Sequence, residues 1–407
     1  MVRIDQHYYK KPNMFVYRLT QCASAVAEKL FFRRKYMRNE LKGKKGPIVV
    51  IANHQAQLDF INLIGATREP MSFVISSSFH RTMPVKKMMD RIGVIPKQQF
   101  QTSLKDIHAM KAVIDEGKIL VIYPAGLMCE DGLSTPVPEA TCRFIQWLRA
   151  DVYMAKTYGT YFCTPKWSKK RRHGRTYLDI YKLFSKEELS TLPPEELHSR
   201  MDEALLFDAY REQEELKVRY KGGDNVEGLE NVLYVCPNCG QEFTMTTEGA
   251  TISCTSCGFT EECDEYGFLH KKSDTGAEIR YVSDWSRKIY LDLKERIERG
   301  EEITLTSATK FMTVDDEKNK FVESGEGTLT YREGHLYLSG KLGGEDFDLD
   351  ASACSFASLP FKPGKHIEVQ CGNDIYRCVL EDGKLAMKFI NLIKINYERL
   401  QASHAHN

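Results

Sequence analysis

The feature that most constrains the fold is an uninterrupted β-branched run that stops at a histidine. Residues 48–52 read Ile-Val-Val-Ile-Ala and lead directly into Asn53 and His54. A run with no polar residue indicates a strand buried on both faces, as in parallel sheets covered by helices. Asp59 follows five positions after His54. The pattern is typical of a general base oriented by an acid at a sheet edge, and also of a polar turn without chemistry.

Strands and helices alternate beyond this run. The sequence predicts strands at 71–76, 119–123 and 160–163, and helices at 86–92 and 103–116. Such alternation indicates an α/β domain with a largely parallel sheet flanked by helices. Ligand sites in these sheets lie beyond the carboxyl ends of the strands, where His54 and the turn after residue 123 both fall.

An amphipathic helix is predicted before the first strand, from about Met14 to Arg38. Its apolar stripe comprises Phe15, Leu19, Cys22, Val26 and Leu30. Its basic end comprises Lys29, Arg33, Arg34, Lys35 and Arg38. The helix either lies on an anionic bilayer or packs its stripe on its own domain with the cations solvated.

Composition places the chain in a reducing compartment. No apolar run approaches the roughly 20 residues of a membrane-spanning helix, and the polar start is not a secretion signal. The formal net charge is +1, so attraction to phosphate or membrane must come from local basic patches. In a cytoplasmic protein, the paired motifs among the 12 cysteines indicate metal binding rather than disulfides.

Two Cys-x-x-Cys-Gly motifs are the sharpest local signal. Four thiolates with this spacing predict a tetrahedral, structural zinc site, with the ligands Cys236, Cys239, Cys254 and Cys257. The intervening residues fit a hairpin with arms at 242–245 and 250–253. This ribbon contains acids and few cations, so we expect it to dock a protein partner or link domains, and we do not expect nucleic acid as a partner.

The last part of the chain reads as strands separated by glycine turns, followed by an amphipathic helix. In architecture alone it resembles a pleckstrin-homology-like β-barrel, whose members bind lipids, peptides or neither. The predicted organisation is an amphipathic helix at 1–40, an α/β domain with a helical extension at 41–220, a zinc ribbon at 230–270, a linking helix at 280–300 and a β domain with its C-terminal helix at 301–402.

Four blocks between about residues 40 and 185 resemble the glycerolipid acyltransferases, the family that includes lysophosphatidate acyltransferase. Residues 53–59 match the family's Asn-His-x4-Asp block without departure. Residues 93–97 resemble its second block, and residues 164–166 its proline-containing fourth. Residues 123–126 read Tyr-Pro-Ala-Gly where the family usually has Phe-Pro-Glu-Gly.

The resemblance implies transfer of a fatty acyl group from a coenzyme A or acyl carrier protein thioester to the hydroxyl of a lysophospholipid such as 1-acyl-glycerol-3-phosphate. It implies His54 as general base and Asp59 as its orienter, with the substrate hydroxyl attacking directly. The implied substrate-binding residues are Asn53, Gly93, Lys97, Pro124, Ala125, Gly126 and Lys166. It also implies a cytoplasmic protein, peripheral at the inner face of the membrane.

At two positions the sequence departs from the family's usual residues, and both departures concern binding of the acceptor. Lys97 stands where an arginine is more usual, and it offers a point charge instead of a bidentate contact. Ala125 replaces a glutamate that helps to bind the glycerol phosphate, although the acids Glu130 and Asp131 follow closely. The alternatives are therefore a different lysolipid or amine-lipid acceptor, or an inactive adaptor that binds partners through its ribbon and β domain.

A basic loop at 167–175 remains. It follows the fourth block and carries a tryptophan at its edge. It is interpreted as a contact for lipid headgroups or cofactor phosphates, as a solvated hairpin tip, or as a nucleic-acid contact.

Overall fold

The computed structural model describes residues 9–57, 59–99, 103–274, 276, 278–351, 357–372 and 374–405. The chain divides into two compact units. Unit 1 comprises residues up to Pro165 and Lys170–Gly223, and unit 2 comprises Lys166–Lys169 and the residues from Asp224 onward. Within the described residues, no helix combines the length and apolar character needed to cross a bilayer.

Unit 1 contains ten helices and seven strands within the described residues. The helices are α1 Met14–Phe31, α2 Asp59–Ile64, α3 Ser77–Thr82, α4 Lys86–Arg91, α5 Leu104–Asp115, α6 Glu139–Leu148, α7 Thr160–Cys163, α8 Lys186–Thr191, α9 Pro194–Leu205 and α10 Ala209–Leu216. The strands are β1 Lys35–Asn39, β2 Ile48–Ala52, β3 Met71–Ser76, β4 Ile95–Lys97, β5 Ile119–Ile122, β6 Asp151–Tyr158 and β7 Tyr177–Phe184.

The strands form one sheet in the order β1-β7-β6-β2-β5-β3-β4. Every neighbouring pair is parallel except β6 and β7. Strand β2 lies in the middle, and Ile51 pairs with Ile122 on one side and Met154 on the other. The carboxyl ends of β2 and β5 therefore meet at one edge.

Alternate residues of β2 enter different layers of the core. Val49 and Ile51 pack in a cluster with α5, α6 and α9, whereas Ile48 and Val50 pack in a second cluster with Tyr17 of α1 and residues of α2. The sheet is therefore covered on both faces, as an uninterrupted apolar strand requires. The predicted α/β fold class is confirmed.

Two predicted elements of unit 1 are wrong. Helix α1 ends at Phe31 and not near Arg38, because Arg33 adopts a φ of 45° and residues Lys35–Asn39 instead form β1, parallel to β7. Residues Thr160–Cys163 form the short helix α7 instead of a strand. Gly159, with a φ of 79°, turns the chain directly before it.

Unit 2 begins with the ribbon and continues into a β domain. The ribbon strands are β8 Met245–Glu248, β9 Thr251–Cys254, β10 Thr260–Cys263 and β11 Leu269–Lys271, all antiparallel. The first hairpin arm therefore starts at Met245 and not at residue 242. Helix α11, Val282–Glu298, follows.

The β domain is a seven-stranded antiparallel sheet in the order β15-β14-β13-β12-β18-β17-β16. Its strands are β12 Leu305–Asp315, β13 Lys320–Arg332, β14 His335–Leu342, β15 Glu345–Asp350, β16 Phe361–Lys362, β17 His366–Cys371 and β18 Asp374–Leu380. The closing helix is α12 Leu385–Ala405, which buries Phe389, Ile390 and Ile393. The predicted C-terminal β region with an end helix is confirmed.

Candidate functional site

His54 and Asp59 meet at the carboxyl edge of the unit 1 sheet. Strand β2 ends just before the histidine, and Asp59 opens α2. The Nδ1 atom of His54 lies 3.0 Å from Oδ2 of Asp59. The same oxygen accepts the backbone N–H groups of Gln55 and Ala56, each at 2.8 Å. Asp59 is only 1% exposed, so this anchored carboxylate fixes the ring, and with a proton on Nδ1 the lone pair is on Nε2.

Asn53 anchors the turn to the neighbouring strand β6. Its side-chain amide donates to the carbonyl oxygen of Thr157 at 2.8 Å, and its Oδ1 accepts the N–H of Thr157 at 2.7 Å. The side chain is buried. The geometry therefore gives Asn53 a role in holding the turn.

Gln55 is buried behind the histidine. Its Oε1 accepts the hydroxyl of Thr160 at 3.3 Å and the N–H of Tyr161 at 3.4 Å, both at the start of α7. Its backbone carbonyl faces the thiol of Cys129. Nothing in the motif spacing marks Gln55, because it occupies one of the four unspecified positions between His54 and Asp59.

A cleft that opens to solvent lies beside His54. Its walls come from the end of β2, the loop after β5, residues 133–137 and residues 205–207. The lining is largely apolar: Ala52, Ala125, Leu127, Val137, Leu205 and Phe207. An apolar cleft with a few polar groups suits a hydrocarbon chain with a reactive end. No sequence motif marks the walls at 133–137 and 205–207.

The turn after β5 brings Pro124, Ala125 and Gly126 to this edge. Gly126 has a φ of 70°, and its N–H donates to the carbonyl of Tyr123 at 3.0 Å, so the turn favours glycine. The Tyr123 and His54 rings lie 4.6 Å apart between centroids. Desolvation by burial, with a contribution from Asp59, raises the pKa of Tyr123 well above its ordinary value. Its phenol is therefore neutral.

Ala125 lines the cleft with a methyl group where the related block carries a carboxylate. Of the two acids that follow it, Glu130 is buried, and Asp131 accepts the N–H of Leu133 at 3.0 Å. The cleft lining, as far as the described residues define it, includes neither acid.

Gly93 precedes β4 at the edge of the sheet, and Lys97 is the last residue of that strand. Gly93 has a φ of 79°, and a side chain there would approach the ring of Pro12 to 2.8 Å. Lys97 donates to the carbonyl of Gln98 at 2.9 Å. Burial lowers the pKa of Lys97, and Asp106 opposes this shift. A partly buried ammonium at a strand end is suited to an anionic group.

Lys166 belongs to unit 2. Its ammonium lies 3.7 Å from the centre of the Phe361 ring in β16. The structure therefore brings His54, Asp59, Asn53 and Ala125 together within unit 1, and groups Lys166 with the β domain.

The four ribbon cysteines form a separate cluster in unit 2. Their Sγ atoms all lie within 4.8 Å of one another. The distances are 3.7 Å between Cys236 and Cys257 and 3.8 Å between Cys239 and Cys254. A tetrahedral zinc with Zn–S bonds of about 2.3 Å requires sulfur separations of about 3.8 Å. The donor set and its spacing therefore fit a structural zinc. Gly240 and Gly258, the glycines that end the two Cys-x-x-Cys-Gly motifs, have φ of 72° and 73°.

The ribbon is tied to the helices of unit 2. The indole N–H of Trp285 in α11 donates to the carbonyl of Val235 at 2.9 Å. Glu242 pairs with Lys388 of α12 at 2.5 Å and with Arg296 of α11 at 3.1 Å. The metal site is therefore part of the packing of this unit.

The domain that carries His54 and the cysteine ribbon each match a model of a known family. Residues 33–161 match the family model described as Acyltransferase. Residues 229–260 match a zinc-ribbon model described as DNA directed RNA polymerase, 7 kDa subunit. The predicted acyltransferase domain and zinc ribbon are confirmed over these ranges. No curated protein matches the chain.

Two solved structures are similar to parts of the chain. The 1-acyl-sn-glycerophosphate (LPA) acyltransferase PlsC from Thermotoga maritima covers 50% of this chain and 80% of its own, with 18% identity and a TM-score of 0.42. The Ran binding domain of the nuclear complex component Nup2 from Ashbya gossypii covers 24% of this chain and 96% of its own, with 12% identity and a TM-score of 0.20. Scores of this size do not establish a shared fold.

Proposed function

We propose that the protein transfers a fatty acyl group from an acyl thioester to the hydroxyl of a lysophospholipid such as 1-acyl-glycerol-3-phosphate. The observation that carries the proposal is the His54–Asp59 contact at the edge of a domain that matches the acyltransferase family. Nε2 of His54 accepts the hydroxyl proton as the oxygen attacks the thioester carbonyl. Collapse of the tetrahedral intermediate forms the ester and expels the thiolate, which takes up a proton.

The cleft beside His54 is the proposed site of the acyl chain. Its apolar walls start at the end of β2, so a chain lying in it would present its carbonyl near the imidazole. The donor is a thioester of coenzyme A or acyl carrier protein. Lys97, Gly93, Gly126 and Pro124 of unit 1 remain proposed substrate contacts.

Purified protein with lysophosphatidate and an acyl thioester tests the reaction through release of free thiol. We expect release by the wild type and a loss of about 10²–10⁴-fold in His54→Ala, the usual contribution of a general base. His80→Ala is the matched control, because His80 forms a second histidine–aspartate pair in unit 1, at 2.7 Å from Asp90. Absence of release with any lysolipid favours the adaptor alternative, in which the ribbon and β domain bind partners.

Ala125 lies in the cleft beside His54, so the assay is run across lysolipid and amine-lipid acceptors. In Ala125→Glu the new carboxylate would enter the cleft beside His54. We expect this variant to shift the ratio of kcat/KM between glycerol phosphate and other acceptors. An unchanged ratio would show that residue 125 does not select the acceptor.

We further propose that α1 holds the protein at an anionic membrane surface, at the inner face of the membrane in the cytoplasm. The stripe predicted from the sequence is solvent-exposed: Phe15 80%, Leu19 62%, Val26 59% and Leu30 61%. The opposite face of α1 packs inward with Tyr17, Ser24 and Glu28 buried. Because the apolar stripe does not enter the core, a bilayer interface that also attracts Lys29 and Arg33 would cover it.

A further inference from the structure

Two cation-rich segments of unit 1, residues 171–175 and 217–221, lie side by side. His173 pairs with Lys221 in an antiparallel bridge. The N–H of Lys221 donates to the carbonyl oxygen of His173 at 2.8 Å, and the N–H of His173 donates to that of Lys221 at 3.3 Å. Side chains alternate between two sides along an extended segment. We call the exposed cations of the two segments the basic surface: Arg171, Arg175, Lys217, Arg219 and Lys221.

Tyr220 fixes the two segments to the body of unit 1. Its side chain is buried, and its ring stacks on that of Phe162 with 5.1 Å between centroids. Its hydroxyl donates to the carbonyl oxygen of Arg175 at 3.4 Å. Gly174 lies directly against the ring, where a side chain would approach a ring carbon to 2.1 Å. The basic surface is therefore a packed part of the domain.

The basic surface lies at the same edge of the sheet as His54. Strand β7 runs antiparallel to β6, and its first residue, Tyr177, pairs with Tyr158 at the end of β6. Because β6 is parallel to β2, the residues just before Tyr177 lie beyond the carboxyl ends of both strands. Neighbouring strands are about 4.8 Å apart, so the start of β7 is about 10 Å from the strand that leads into His54.

The end of α1 is bonded to the same segment. The N–H of Thr176 donates to the carbonyl oxygen of Phe32 at 3.0 Å, and the N–H of Lys35 donates to that of Thr176 at 2.9 Å. Leu30, the last residue of the apolar stripe, is exposed, and so is Arg33. The stripe of α1 therefore leads directly into the basic surface.

We propose that the basic surface binds the anionic headgroups of the bilayer that covers the α1 stripe, so that the edge carrying His54 faces the membrane. The inference rests on the membrane attachment and the acyl transfer proposed above. A bilayer presents an apolar layer beside a layer of phosphates, which matches an apolar stripe that leads into a group of cations. A nucleic acid would match the cations alone. A lysolipid acceptor in the bilayer would then approach His54 from the membrane surface.

The variant Arg175→Gln/Lys217→Gln/Lys221→Gln tests the inference in the full chain. Flotation with vesicles of phosphatidylcholine and phosphatidylglycerol measures its binding. We expect the partition coefficient to fall roughly 100-fold at low salt, about fivefold for each cation removed. The difference from the wild type should shrink at high salt, because salt screens exposed charges.

The matched control is Lys42→Gln/Lys44→Gln/Lys45→Gln. It removes three exposed lysines from the turn before β2, at the amino edge of the sheet and so opposite to His54. This variant carries the same change in charge and should bind the vesicles as the wild type does. In hydrogen exchange of the wild type, the vesicles should slow residues 171–175 and 217–221 and leave residues 42–45 unchanged.

Equal binding by the wild type and the first variant would overturn the inference and leave attachment through α1 intact. Equal losses in the two variants would also overturn it, because binding would then depend on total charge and not on this edge. Unchanged flotation, with a loss of transfer from an acyl carrier protein thioester alone, would assign the basic surface to an acidic carrier protein instead. A wild type that does not float would overturn the membrane attachment as well, whereas thiol release with lysophosphatidate in detergent still tests the reaction.

Discussion

Oδ2 of Asp59 lies 3.0 Å from Nδ1 of His54 and simultaneously accepts two backbone N–H groups. One oxygen atom therefore fixes both the imidazole and the turn that carries it. In Asp59→Asn the amide cannot accept all three donors with the same charge, and the imidazole loses its preferred tautomer. We expect kcat for thiol release to fall about 10³–10⁴-fold.

Asp90→Asn is the control for this loss. It breaks the second histidine–aspartate contact, between Oδ1 of Asp90 and Nε2 of His80. Activity should persist in this variant. Equal losses in Asp59→Asn and Asp90→Asn would mean that the first contact only stabilises the fold.

The exposed apolar stripe of α1 predicts that the protein binds to anionic vesicles through this helix. Replacing Leu19 and Val26 together by glutamate removes two apolar contacts and adds charges that anionic lipid repels. We expect binding to anionic vesicles to weaken at least about tenfold, since each buried aliphatic side chain contributes about 1.5–3 kcal/mol. Vesicle flotation at low and high salt measures the change. Leu104→Glu serves as the control, because Leu104 is 74% exposed at the start of α5, on the other face of the sheet.

The ribbon cluster predicts that metal loss weakens all of unit 2. Cys236→Ser removes one of four thiolates, and we expect less than one bound zinc per chain with a stability loss of several kcal/mol. The loss extends beyond the ribbon because Trp285 and Lys388 tie it to α11 and α12. Metal analysis and denaturation followed by hydrogen exchange measure both effects.

Cys263 supplies the matched cysteine variant. It is a buried ribbon cysteine outside the four-sulfur cluster. Cys263→Ser should retain one zinc per chain. A full zinc complement in Cys236→Ser would contradict the four-thiolate site.

Glu261 of β10 predicts a pH dependence of stability. Burial raises its pKa to about 7, which the backbone N–H of Ile279 opposes. A carboxyl whose folded pKa is raised contributes most stability below the unfolded value near 4.5 and loses it as the pH rises through about 7. The free energy of unfolding of Glu261→Gln, relative to that of the wild type, should therefore increase between pH 5 and pH 8. The increase is on the order of 2 kcal/mol once solvent screening is allowed for. Urea denaturation at both pH values measures this gain, and a difference independent of pH would contradict it.

Local sequence patterns were sufficient to predict the central part of the fold. The apolar run at 48–52 predicts a strand that is buried on both faces, and each of its residues is buried. Ser185 followed by Glu188 three positions later is the capping-box pattern, and the structure has the full capping box there. In these places the local preference and the tertiary environment favour the same structure.

The errors arise where distant contacts override local preference. Residues beyond Phe31 continue a helical pattern, yet Lys35 donates its N–H to the carbonyl of Thr176, and β1 joins β7. The β-prone residues Thr160–Cys163 form α7, and its first two residues hold Gln55 through the Thr160 hydroxyl and the Tyr161 N–H. No short-range pattern contains these pairings, and for the same reason the sequence does not mark Gln55 as a member of the site.

The hydrogen bonds of Asn53 explain why an amide side chain is needed at this position. Its side chain exchanges two hydrogen bonds with Thr157, and so satisfies backbone groups of β6 that further pairing with β2 would otherwise satisfy. An aspartate offers no donor for the Thr157 carbonyl, and a glutamine is longer by one methylene. The side chain of Asn53 thus replaces backbone pairing just beyond the end of β2, and the main chain can turn away from the sheet there. His54 therefore follows directly after a residue whose side chain is bonded to β6.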